Sequence, residues 1–128
     1  GVENNDISGI LTSALKSSNL TEQVILKAII NDTVGTLLAS SYTDQNTYIG
    51  SICGTGHNTC YVEPRLLDTG EQMIVNMESG NFNKLPFTEY DDQLDLNSDI
   101  PGEQRLEKMV SGKYIGEITR IIIEEINL

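Results

Sequence analysis

Residues 24–36, Val-Ile-Leu-Lys-Ala-Ile-Ile-Asn-Asp-Thr-Val-Gly-Thr, constrain the chain most. Of the first seven, six are apolar and four β-branched, the composition of a strand buried on both faces. Such a strand belongs to a parallel or mixed sheet covered by helices. The polar triplet Asn31-Asp32-Thr33 suits the start of a helix, and Val34 to Ser41 is small and apolar enough to be that helix. Asp32 is then expected at a strand's carboxyl end and a helix's amino end, the edge where open α/β sheets bind ligands. The helix dipole there favours an ionised carboxylate by about 0.3–1 kcal/mol. An ionised Asp facing a cleft is a candidate general base; taken alone, it reads as a plain cap.

At 128 residues the chain is one domain or a piece of one, long enough to bury a sizeable core. Its 8 basic and 19 acidic residues, net −11, argue against nucleic acid and anionic membrane as partners. The same charge means that backbone N–H groups, a metal or other parts of a protein must supply the field for any phosphate. No apolar run approaches a membrane span, and the amino end shows no signal pattern. Cys53 and Cys60 lack metal-ligand spacing and lie in apolar, strand-like contexts, so no metal site is expected. They read as buried free thiols, which suits a reducing, cytoplasmic setting.

Along the chain, Ile7, Ile10, Leu11, Ala14 and Leu15 form the stripe of an amphipathic helix over residues 3–18, with Asn and Asp ahead as caps. Asn19-Leu20-Thr21 is a connection, so the chain opens α-β-α. Residues 48–53 and 59–63 are two short strands joined by Gly54-Thr55-Gly56-His57-Asn58, a tight turn that needs glycine. A tip of this kind can cradle phosphate through its N–H groups, or be an ordinary hairpin turn. His57, the sole histidine, reads as an exposed loop residue without a catalytic partner. Pro64 to Glu71 is a loop, and Gln72 to Glu78 a third strand whose end carries Glu78 beside a glycine turn. From Asp68 to Asp99 eight acidic residues face one basic residue, Lys84, which reads mostly as a solvated face. Phe87 to Leu96 is a short helix or an irregular acidic loop. From Pro101 onward, Leu106, Met109, Val110, Tyr114, Ile118, Ile121 and Ile122 keep helical spacing. Gly112 interrupts it, giving two helices or one bent one. Glu107 sits at the edge of the stripe, either pointed into a cleft or a boundary residue.

Four segments, taken in order, resemble the hexokinase family. They are Asn31 to Thr36, Gly54 to Tyr61, Val75 to Gly80 and Pro101 to Gly112, and the likeness runs through nearly the whole chain. The resemblance implies an α/β chain that is part of the actin-like ATPase (ribonuclease H-like) fold, with a mixed sheet flanked by helices. Residues 1–128 are then a single partial domain, drawn mostly from the large lobe. It implies that Asp32 is the base that takes the proton from a hexose 6-hydroxyl as it attacks the γ-phosphate of Mg-ATP. Asn31, Asn58, Glu78 and Glu107 would hold the sugar hydroxyls, with Gln104 nearby, and Gly54, Thr55 and Gly56 would contact phosphate. ATP and Mg2+ are thus expected for the longer parent protein, whose remaining lobes would be this chain's partners.

The sequence also departs from the family pattern. Ser79 and Asn81 stand where Trp and Ala are usual, Cys53 replaces an aliphatic residue, Thr59 replaces Ala, and the Pro64–Glu71 loop is short. A first glycine-rich phosphate motif, the small-lobe Ser, Thr and Lys, and the adenosine-binding segment are not in these 128 residues. Lys108 and Lys113, the nearest cations, read as solvated helix positions. The expectation is therefore a hexokinase segment that carries the base and most sugar contacts without turning over ATP by itself. The alternative is a sugar-sensing relative that has lost turnover.

Overall fold

The computed structural model describes residues 4–20, 23–65 and 70–126. It divides into two compact units, residues 1–30 and residues 31–128. In the first, α1 (Ile7–Ser17) starts where the Asp6 carboxylate accepts the Ser8 and Gly9 amides at 3.0 and 3.1 Å. This is ordinary capping of helix-end donors. Of the connection expected at residues 19–21, Thr21 lies outside the described residues.

The buried strand expected over residues 24–30 is not formed. These residues are extended but irregular, with Ile25 70% and Ile30 56% exposed. A β-branched run becomes a strand only when a neighbouring strand takes up its backbone donors and acceptors. Among the described residues no strand does so. Asp32 therefore follows an irregular segment, and the opening α-β-α becomes helix, coil, helix.

The second unit starts with α2 (Asp32–Ser41), whose N-cap is Asn31, its side chain accepting the Thr33 amide at 2.9 Å. Three strands follow, β1 (Ile49–Cys53), β2 (His57–Glu63) and β3 (Met73–Asn76). They pair in sequence order, so among the described residues the sheet is antiparallel, not mixed. Within the expected loop Pro64–Glu71, residues 66–69 lie outside the described residues. The register places Gly50 opposite Cys60 and Cys60 opposite Asn76. Around that row Thr33, Leu37 and Cys60 are buried, so α2 covers the middle of the sheet. Strand alternation points Gly50 towards α2 and Cys53 away from it. Cys53, expected buried, is accordingly exposed, while Cys60 is buried, and both thiols are free.

Phe87 to Leu96 resolves as a helix, α3 (Glu89–Leu96), because Thr88 and Asp91 form a reciprocal capping box. Its acidic first turn, Glu89, Asp91 and Asp92, suits the positive end of the helix dipole. The carboxyl-terminal pattern gives two helices, α4 (Arg105–Val110) and α5 (Gly112–Ile126). The break is at Ser111, whose backbone is extended and fully buried, one residue before the glycine. Leu94, Tyr114 and Ile121 form a second core between α3 and α5, with Tyr90 and Ile118 against it.

The packing of α2 on β1 rests on the absence of a side chain at Gly50. A Cβ there would stand 2.8 Å from both the Leu37 Cβ and the Thr33 carbonyl oxygen. Overpacking of a buried contact costs about 1–3 kcal/mol. Gly50→Ala is expected to lower the urea midpoint accordingly, whereas an unchanged midpoint would show that α2 does not rest on this strand.

Candidate functional site

At the end of the sheet where β1 turns into β2, a cleft of about 370 Å³ opens. It is lined by Asp32 from α2, Thr55 and Gly56 from the hairpin tip, His57 and Asn58 from β2, Glu78, and Gln104 and Glu107 at α4. Ile52 supplies an apolar patch. Five of the six side chains singled out for base and sugar roles thus converge on one space, as do Thr55 and Gly56 of the phosphate tip. Asn31 and Gly54 stand outside the lining. The Asn31 side chain is turned onto α2, accepting from Thr33, and Gly54 lies at the tip, its amide donating to the Gly56 carbonyl at 2.9 Å.

A chain of hydrogen bonds fixes the polar wall. Asn76, at the end of β3, donates to Glu78 Oε1 at 2.5 Å and accepts from Asn58 Nδ2 at 2.9 Å. Asn58 Oδ1 accepts the Thr59 and Ser79 amides at 2.8 and 3.2 Å, which tethers the turn that carries Glu78. Glu107 Oε2 accepts the His57 amide at 2.8 Å, spanning from α4 to the hairpin. Glu78 and Gln104 both take left-handed backbone conformations, φ 49° and 52°. For residues with a Cβ this costs on the order of 1–3 kcal/mol each. Strain of this kind persists where surrounding contacts over-determine the backbone. Neither conformation has a sequence signal, since both residues are ordinary ones for extended or helical backbone.

Two sequence expectations are corrected here. His57 is the first residue of β2, half-buried, not an exposed loop residue. The connection is only Gly54 to Gly56, so pairing extends to the Cys53–His57 rung. The ring's Nε2 stands 3.4 Å from Ser79 Oγ. Lys108 is not solvated but 2% exposed, because α4 packs against α3 and brings it to Asp95. Its ammonium meets Asp95 Oδ1 at 2.6 Å and donates to the Ile100 carbonyl at 2.7 Å. Lys113 is half-exposed, 3.6 Å from Asp99. The two departures in the Glu78 turn both make polar contacts: Ser79 with His57, and Asn81 Oδ1 accepting the Gln104 amide at 3.0 Å. Asn76 belongs to this wall without standing out as a site residue in the sequence; its signal is an amide ending an otherwise apolar strand.

The lining holds three carboxylates and no Lys or Arg. Ionised carboxylates with side-chain amides between them accept and donate to a neutral polyhydroxyl ligand, and charge-assisted bonds are the stronger ones. An anion on these side chains would be repelled. The site is therefore that of an α/β protein in which three carboxylates, one of them at a helix N-terminus, converge on one cleft with side-chain amides between them.

Comparison with known proteins gives that class its family. Two family models described as hexokinase match residues 48–127 and residues 1–42. Hexokinase-7 of Oryza sativa subsp. japonica is 44% identical over 133 residues, covering 96% of this chain and 28% of the rice protein. A hexokinase of Toxoplasma gondii is 44% identical over 126 residues, covering 94% and 26%. Among solved structures, the hexokinase from Schistosoma mansoni complexed with glucose superposes with a TM-score of 0.81 at 36% identity. That match covers 96% of this chain and 30% of the other. The chain belongs to the hexokinase family. It spans between a quarter and a third of the length of these relatives.

Asp95 gives the site region an acid limit. Burial pushes its carboxyl up, but hydrogen bonds from Lys108 and the Gly102 amide, with the charges of Lys108 and Arg105, outweigh that and hold it below its ordinary 3.8. A carboxylate lowered on folding contributes stability in full above its unfolded value, lost as pH falls through the folded one. The urea midpoint is expected to fall below about pH 4. In Asp95→Asn that fall is expected to be shallower, and an equal slope would contradict the assignment.

Proposed function

We propose that this chain is the hexose-gripping and base-bearing segment of a hexokinase, which as the longer protein transfers the γ-phosphoryl group of Mg-ATP to a hexose 6-hydroxyl. The observation that carries the reading is the convergence of Asp32, Asn58, Glu78, Gln104 and Glu107 on one cleft. Its size falls in the usual range for small-molecule sites. Membership of the hexokinase family supports the reaction class, and the glucose in the schistosome structure's name supports the substrate class.

In this reading Glu78 and Glu107 accept from sugar hydroxyls, while the amides of Asn58 and Gln104 donate or accept as the ring requires. Asn31, whose side chain caps α2, contributes by fixing the start of the helix that carries Asp32. The Asp32 carboxylate takes the proton of the 6-hydroxyl as that oxygen bonds to the γ-phosphorus. The bond from phosphorus to the β-bridging oxygen breaks, and ADP leaves with its electron pair. Asp32 is exposed at the first position of α2, so it has both the access and the helix-dipole support that this role needs.

ATP fits this chain only in part. Thr55 and Gly56 offer backbone N–H groups to a phosphate, but the lining has no cationic side chain to balance a triphosphate. Among the described residues no group of three metal-ligating side chains exists, so Mg2+ would come bound to the nucleotide rather than in a protein cage. The rest of the nucleotide's contacts fall to the remaining lobes. The actin-like ATPase fold, with a mixed sheet, belongs to the same proposal. The apolar run over residues 24–30, extended and without a ladder partner among the described residues, suits a strand in a larger sheet. Participation in glycolysis and a cytoplasmic location belong to the same proposal, which the free thiols suit. No helix among the described residues is long and apolar enough to cross a membrane.

The test is kinetic, in the longer enzyme that carries these residues. Glu78→Ala and Glu107→Ala are expected to raise hexose KM about ten- to a hundred-fold, the loss of one charged hydrogen bond each. Asp32→Ala is expected to lower kcat on the order of 10²–10⁴-fold. Unchanged KM in both glutamate variants would remove the sugar assignment.

A further inference from the structure

The helix α4 is too short to hold itself. Six residues make fewer than two turns, and a helix of that length is not stable in water on its own. Its N-cap, Gln104, makes no side-chain capping bond and sits in the left-handed region. Yet Gln104 and Glu107, the two side chains it presents to the cleft, must be held where the other wall meets them. Something behind the helix has to fix it.

Besides its packing on α5 and on the Ser79–Asn81 turn, a buried carboxylate on α3 does so. Asp95 is 5% exposed, and both of its oxygens are taken. Oδ1 meets the Lys108 ammonium at 2.6 Å. Oδ2 accepts the Gly102 amide at 2.9 Å and faces Arg105 Nη1 at 3.0 Å. Lys108 reaches on to the Ile100 carbonyl at 2.7 Å, and the same carbonyl accepts the Glu103 amide at 3.3 Å. The Asp95 carbonyl accepts the Ser98 hydroxyl at 2.7 Å. Arg105 is held further by Asp92 at 2.6 Å and lies 3.9 Å over the Phe87 ring. The loop from Asn97 to Gln104 is thus folded around one buried charge, and α4 is pinned through Lys108 and Arg105, the residues on either side of the Leu106–Glu107 pair. None of these groups lines the cleft.

We propose that Asp95 and Lys108 are positioning residues for the hexose site, setting Gln104 and Glu107 from behind rather than touching the ligand. A buried ion pair replaced by apolar groups is often neutral or better for stability, while removal of one partner leaves an uncompensated charge. Stability alone therefore gives weak reason for an Asp–Lys pair here, whereas directional contacts to one loop and one short helix give a strong one. The proposal rests on the hexose reading for its purpose, but its geometry can be tested without sugar.

The experiment is amide hydrogen exchange on the 128-residue chain and its Lys108→Met and Asp95→Asn variants. Two amides report on the placement of α4: His57, which donates to Glu107 Oε2, and Gln104, which donates to Asn81 Oδ1. Both are expected to exchange about tenfold faster or more in each variant, with the β1–β2 ladder amides unchanged. A uniform rise across the ladder as well would mean a merely structural pair, and unchanged rates at His57 and Gln104 would also overturn the proposal. Should Lys108→Met not fold, Asp95→Asn, which keeps the shape and the acceptor for Gly102, carries the same readout. In the longer enzyme, Asp95→Asn is expected to raise hexose KM about tenfold with kcat little changed, since Asp32 lies on a different element. If the wild-type enzyme does not use a hexose, the substrate reading fails, while the exchange result still decides the positioning role.

Discussion

The hairpin tip between β1 and β2 is the place where the rest of the second unit has to meet. The first two amides of α5 donate into it, Gly112 to the Gly54 carbonyl at 2.6 Å and Lys113 to the Thr55 carbonyl at 3.1 Å. The Glu107 carboxylate from α4 closes on the His57 amide from the other side. This approach is so close that a Cβ at Gly56 would fall 2.7 Å from Glu107 Oε2. Backbone groups that would otherwise be orphans at a helix start and a strand end are thereby satisfied by one another. The tip consequently joins sheet, α4 and α5, and the cleft is what remains between them.

That arrangement explains how so acidic a chain holds an ordered site. Glu107 is satisfied by a backbone donor, Glu78 by the amides of Asn76 and Asn58, and Asp95 by Lys108 and Gly102. The carboxylates are oriented before any ligand arrives, at the cost of two residues in left-handed backbone. Preorganised acceptors of this kind suit a neutral, many-hydroxyl ligand, because each hydroxyl replaces water without bringing a charge that needs compensation. They suit a nucleotide poorly, which fits a chain that spans no more than about a third of its relatives' length.

Much of this was legible in the sequence wherever a local signal and a tertiary contact agree. Asp6 and the Ile7–Leu15 stripe give α1, Gly54-Thr55-Gly56 gives the hairpin, and Thr88 with Asp91 decides α3 as a helix. The break near Gly112 is real, displaced by one residue to Ser111. What could not be read was set by partners distant in sequence. The β-branched run at 24–30 has strand propensity but no strand beside it among the described residues. Lys108 looks solvated until α3 supplies Asp95, 13 residues earlier. His57 looks like a loop residue until the turn proves to be three residues long, and Cys53 looks buried until alternation turns it away from α2. The site residues were reachable mainly through the family resemblance, because carboxylates scattered over 76 positions, from Asp32 to Glu107, carry no spacing that identifies a cleft.

The most direct measurement of the central claim, that this cleft holds a hexose, is an amide-resolved NMR titration of the 128-residue chain with glucose. Shifts that cluster at Asp32, Asn58, Glu78, Gln104 and Glu107, and saturate together, are the result this account expects. Saturable shifts that map elsewhere on the chain, with these five unmoved, would contradict it.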